Sequence, residues 1–146
     1  MQGLALELLR KVPPRIGMRA IELFKDSEIG TREYRPGHYS NCVGTALYVV
    51  GHPKVEIPMN IPWEDFERIL EEEFTEDKIP GSIFLMRNRE RKYNHCGVFL
   101  GEHENLQLIF HQLGHAKRFN WEWIKLHPDF TAEGYYKISF YSLKKN

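Results

Sequence analysis

No stretch of this chain is apolar for the roughly 20 residues that a membrane-spanning helix needs. It also lacks a glycine-rich phosphate loop, an internal repeat and a low-complexity tract. No one sign of charge dominates: 20 Lys+Arg meet 20 Asp+Glu, so the net charge is zero. Global charge therefore gives no footing for a nucleic-acid binder, and only a local patch is left open. Cysteine is scarce. Cys42 and Cys96 are the two, too few for a disulfide framework or a four-cysteine zinc site. The first ten residues have no basic start, carry Glu7 inside their apolar stretch, and are followed by no small-residue cleavage site. They do not read as a signal peptide, and the expected location is cytoplasmic, with a trimmed signal or another export route left open.

The chain does contain the means to fold. Its 146 residues are 42% hydrophobic and 13% aromatic, which predicts a single domain over 1–146 with a core of its own. Apolar residues recur at helical spacing in 3–11 (Leu4, Leu8, Leu9) and 15–25 (Ile16, Ala20, Leu23, Phe24), with Pro13 and Pro14 between them. Residues 26–40 read as a loop. Residues 41–50 are helical again, with Ser40 as the expected N-cap and Gly51 and Pro53 as the stop. A further helix starts at Pro62 and runs through Phe66 and Leu70 to Phe74, with Glu64 and Asp65 in its first turn. Beyond Gly81 the pattern becomes strand-like, at 82–86, 95–101, 106–112 and 135–143. Helices first and strands second predict an α+β fold, an antiparallel sheet covered by helices on one face.

Cys42 opens a predicted helix. Unpaired N–H groups and a partial positive charge at a helix N-terminus favour a thiolate and can donate to an oxyanion. A free cysteine is equally at home as a small buried apolar residue. The histidines bear on the choice. A hairpin with its loop at 101–105 would pair Leu100 with Leu106, Val98 with Leu108 and Cys96 with Phe110 on one face. It would pair His95 with His111 on the other, with Cβ atoms ~5 Å apart. One imidazole could then serve as general base and the other could orient it. Two strand-end histidines bonded to loops are the plainer alternative.

These segments resemble the NlpC-type cysteine peptidases, which have a papain-like fold. The family's Asp-Cys-Ser-Gly corresponds to Asn41-Cys42-Val43-Gly44. Its Pro-Gly-Asp strand corresponds to Pro80-Gly81-Ser82 and the apolar residues after it. Its His-Val-Gly-Ile-Tyr-Leu-Gly strand corresponds to His95-Cys96-Gly97-Val98-Phe99-Leu100-Gly101, and its third polar residue falls on His111. Cysteine before histidine sets it apart from permuted acyltransferase relatives. The resemblance covers about residues 38–115, and 1–37 and 116–146 are divergent flanks. It implies a catalytic triad of Cys42, His95 and His111 and cleavage of a peptide or isopeptide amide, with peptidoglycan stem peptides as the leading substrate. Positions 41 and 43 help hold the free amine of that substrate in the family. Here Asn41 and Val43 stand where Asp and Ser are usual, and the missing carboxylate removes a partner for a cationic amine.

Other residues admit two readings. Tyr34 and Tyr39 could supply an oxyanion donor or be loop aromatics. Arg87, Arg89, Arg91 and Lys92 read as a solvated hairpin arm that could attract an anionic substrate. Trp121 and Trp123 read as an amphipathic edge element or a stacking surface. Cys96 should face the core, away from the nucleophile. His111 and His115 have i, i+4 spacing, but Gly114 lies between them and nothing completes a metal set. No metal or cofactor is expected. The alternatives to a hydrolase are an acyltransferase or deamidase acting on a cytosolic amide or thioester at the same site, and a catalytically inactive papain-like domain that binds a partner.

Overall fold

Two prolines set the start of the structure. The computed structural model describes residues 2–27, 40–88, 94–112, 119–124 and 135–144. Helix α1 (Gln2–Leu9) ends ahead of Pro13, and α2 (Pro14–Ser27) takes Pro14 as its first residue, where a missing N–H costs nothing. The two helices bury Ala5, Leu8, Leu9, Ile16, Ala20 and Leu23 on one shared side. Helix α3 (Cys42–Val50) is short and almost wholly buried, and closes on Gly51 in the left-handed region at φ 84°. Helix α4 (Trp63–Glu73) follows Pro62, carries Glu64 and Asp65 in its first turn, and buries Phe66 and Leu70.

Among the described residues these four helices pack on a six-stranded antiparallel sheet. The strands are β1 (Phe74–Glu76), β2 (Ile83–Asn88), β3 (Asn94–His103), β4 (Leu106–Gln112), β5 (Phe119–Ile124) and β6 (Tyr135–Leu143), in the order β1-β6-β2-β3-β4-β5. Alternation along each strand divides the side chains. Ile83, Leu85, Cys96, Val98, Leu100, Leu108, Phe110 and Phe119 join the helices in the main core. Phe84, Met86 and Ile109 form a smaller cluster with Ile124, Ile138 and Phe140. Each fully buried side chain of this size contributes about 1.5–3 kcal/mol of transfer free energy, before the entropy of ordering is set against it.

The expected α+β arrangement is present, with β1 and β5 added to the four expected strands and with three further differences. Phe74 leaves α4 and begins β1, so the helix stops one residue early. Arg87 belongs to β2, where it pairs with Glu67 of α4 at 2.9 Å; Arg89, Arg91 and Lys92 lie outside the described residues. The β3–β4 hairpin is also tighter than expected. Glu104 and Asn105 both have positive φ, at 47° and 67°, and make a two-residue turn between His103 and Leu106. A bulge at Leu100 then shifts the register, so Val98 pairs with Phe110 and Phe99 with Ile109. The tighter turn alone would have put His111 on the wrong face, and the extra residue restores the parity.

Candidate active site

The backbone around Cys42 is fixed by its neighbours. Asn41, not Ser40, caps α3: its Oδ1 accepts from the Gly44 N–H at 2.9 Å and from the Ile61 N–H at 3.1 Å, and its Nδ2 donates to the Ile61 carbonyl at 2.8 Å. An asparagine one residue before the helix reaches the N3 amide directly. Ser40 is free for another task. Its hydroxyl donates to Gln112 Oε1 at 2.9 Å, Thr45 Oγ1 donates to the same oxygen at 2.6 Å, and Gln112 Nε2 donates to the Ser40 carbonyl at 3.2 Å. Buried Gln112 thus ties the first turn of α3 to the end of β4. Gly44 completes the seat, because a Cβ there would stand 1.6 Å from the Met59 carbonyl oxygen.

Cys42, the first residue of α3, is half-buried against the core. A hydrogen bond with the Cys96 side chain lowers its thiol most. Burial opposes this, and a hydrogen bond with His95, the charge of that ring and the Cys96 backbone N–H add to the lowering. Together they hold Cys42 at about 5, against 9.0 for an ordinary thiol. Cys96 goes the other way: burial first, then the hydrogen bond and charge of Cys42, push it well above the usual range. Cys96 faces the core as expected, but not away from Cys42. The start of α3 lies over β3, so an inward side chain there meets the helix's first residue.

His95 Nε2 lies 2.8 Å from His111 Nδ1, with the ring centroids 5.0 Å apart. They are not directly opposite. The register carried one step past Val98–Phe110 sets Gly97 beside His111, with His95 on the diagonal. The bare Gly97 lets the rings meet, since a Cβ there would be 2.8 Å from His111 Cβ and 2.5 Å from the Phe110 carbonyl oxygen. His111 is buried. Burial, then the charge of His95, lower it from 6.5 to about 4, so it is neutral at pH 7. Its Nε2 reaches Glu122 Oε2 at 3.1 Å, and Glu122 Oε1 accepts from Asn120 Nδ2 at 3.0 Å.

The structure therefore brings Cys42, His95 and His111 into one line. It does not bring every candidate to an open surface. Val43 is fully buried in the core, and the Asn41 side chain is engaged in capping. Tyr34, Tyr39 and His115 lie outside the described residues. Trp121 packs on Phe24 of α2, ring centroids 4.6 Å apart, and Trp123 also packs against the main core, as an edge element would. Among the described residues no group of three or more His, Cys, Asp or Glu side chains is arranged to hold a metal ion.

Glu122 and Gln112 were not singled out from sequence. A signal existed for Glu122: in β5 the apolar Phe119, Trp121 and Trp123 alternate, leaving Asn120 and Glu122 on the histidine face. Gln112 carried none, because only the tertiary position of α3 gives it partners. Neither family models, curated proteins nor solved structures yield a match to this chain.

Proposed function

We propose that the chain is a papain-like cysteine hydrolase that cleaves a peptide or isopeptide amide through an acyl-enzyme. The observation that carries this reading is a helix-opening cysteine, lowered to about 5, hydrogen-bonded to a histidine that a second, neutral histidine holds. At neutral pH Cys42 is a thiolate, and His95 beside it is the group that passes the proton. Cys42 Sγ attacks the carbonyl carbon, and its lone pair becomes the new C–S bond. The Cys42 N–H, left without an intrahelical acceptor at the start of α3, donates to the oxyanion. His95 gives its proton to the leaving amine, the C–N bond breaks, and neutral His95 then takes a proton from the water that releases the acyl group.

Stem peptides of peptidoglycan are the first substrate to test. The engaged side chain of Asn41 and the buried Val43 favour a substrate whose amine is held elsewhere. Purified peptidoglycan and a panel of peptide and isopeptide amides are incubated with the protein, and products are read by mass spectrometry. Cleavage that disappears in Cys42→Ala is the expected result. A wild type that neither cleaves nor labels with a thiol-directed activity probe overturns the enzyme reading in favour of a binding domain.

A further inference from the structure

We infer that Glu122 is a positioning residue that fixes the protons along the His111–His95–Cys42 line and so allows the thiolate–imidazolium pair to form. The inference rests on the cysteine hydrolase reading and extends it by one residue on a strand outside the resemblance. An ionised carboxylate only accepts, so the 3.1 Å contact between Glu122 Oε2 and His111 Nε2 places a proton on that nitrogen. A neutral ring with Nε2–H has a bare Nδ1. That lone pair faces His95 Nε2 at 2.8 Å, which must then carry the shared proton. His95 keeps Nδ1 for Cys42, as a base when neutral and as a second N–H when charged.

Without Glu122 the opposite order is open to the same atoms. His111 would carry Nδ1–H and donate to a bare His95 Nε2. A His95 in that state holds at most one proton, on Nδ1, and cannot become an imidazolium unless His111 turns over first. The thiolate would lose the charge that helps to hold it. Glu122 is itself held in place, since Asn120 donates to its other oxygen at 3.0 Å. Its side chain is 39% exposed. The titratable groups that act directly on Cys42 are Cys96 and His95 of β3. His111 of β4 and Glu122 of β5 stand behind them.

The test reads the thiol rather than turnover. The rate of iodoacetamide alkylation at Cys42 is followed from pH 4 to 10, with peptide mapping, in wild type, Glu122→Ala and Glu122→Gln, with thermal melting alongside. Glu122→Ala is expected to raise the midpoint by about one pH unit. Glu122→Gln keeps a carbonyl acceptor for His111 Nε2–H and is expected to fall nearer the wild type. An unchanged midpoint in a folded Glu122→Ala protein, or a loss of melting temperature alone, overturns the inference and leaves the hydrolase reading standing. A wild-type midpoint in the ordinary thiol range overturns both. Imidazole ¹⁵N spectra of the wild type need no variant: Nε2-protonated, Nδ1-bare His111 is expected, and Nδ1-protonated His111 overturns the inference.

Discussion

Cys42 and Cys96 are chemically the same side chain in contact with each other, yet their thiols are driven in opposite directions. The hydrogen bond from Cys96, then His95 and its charge, hold Cys42 low against its burial, whereas burial, then the hydrogen bond and charge of Cys42, push Cys96 up. Iodoacetamide at pH 6.5 should therefore modify Cys42 at least about tenfold faster than Cys96 in the folded protein, as peptide mapping would show. Equal labelling would mean that the bonds from Cys96 and His95 do not hold Cys42 as a thiolate. The histidines give a second prediction. Cys42→Ala and His95→Ala should abolish turnover. His111→Ala should lose on the order of 10²-fold, and His111→Asn, which keeps an acceptor for His95, should lose less. Full activity in a folded His111→Ala protein would pass the orienting role to another group. The candidate line Cys42, His95 and His111 was readable from residue type and spacing alone. For Glu122 the alternation of β5 gives the face but not the partner, which is reached only after β5 is placed beside β4.

Elements bring these residues together through two glycines. Gly44→Ala would drive a methyl group to 1.6 Å from the Met59 carbonyl oxygen and 2.6 Å from its carbon. Backbone meets backbone there, so the start of α3 must move. The expected loss is on the order of 3 kcal/mol, read by urea unfolding. Gly97→Ala meets the Phe110 carbonyl oxygen at 2.5 Å and His111 Cβ at 2.8 Å. It should separate the two rings, and turnover should fall by more than the change in stability accounts for. The hairpin shows where sequence reading stops. Alternation alone selects the face of a strand, and it put His95 and His111 correctly on one face. Alternation cannot count the residues in a turn. A two-residue turn followed by a bulge and a five-residue loop without one leave the same residues on the same faces. The pairing partner differs by two positions, and only the left-handed Glu104 and Asn105 decide between them.

At the scale of the whole molecule, the order of elements was readable, whereas the order of strands was not. β6 enters between β1 and β2, a long-range pairing that no local pattern encodes. The assembled fold also sets how stability responds to pH. His111 is lowered from 6.5 to about 4, so between those values the unfolded chain binds the proton and the folded one does not. Stability falls as pH drops through that window. Cys42, lowered from 9.0 to about 5, acts with the same sign over pH 9 to 5: its contribution is complete above the unfolded value and is lost toward the folded one. The wild-type melting temperature should therefore fall more steeply on acidification than that of His111→Gln below pH 6.5, and more steeply than that of Cys42→Ser between pH 9 and 5. Parallel curves would count against both assignments.

The Gln112 clamp has a consequence for motion. Separating the start of α3 from the end of β4 breaks at least the bonds from Ser40 and Thr45 to Gln112 and from Gln112 back to Ser40. Each buried hydrogen bond of this kind is worth about 1 kcal/mol net, and leaving its partner unsatisfied adds more. Cys42 and the histidine strand thus belong to one cooperative opening unit rather than to a helix that frays on its own. Amide hydrogen exchange should show residues 42–48 and 108–112 exchanging with a common opening free energy. In Gln112→Ala the helix should exchange ahead of the strand, and the alignment of Cys42 with His95 should become intermittent while the sheet itself remains closed.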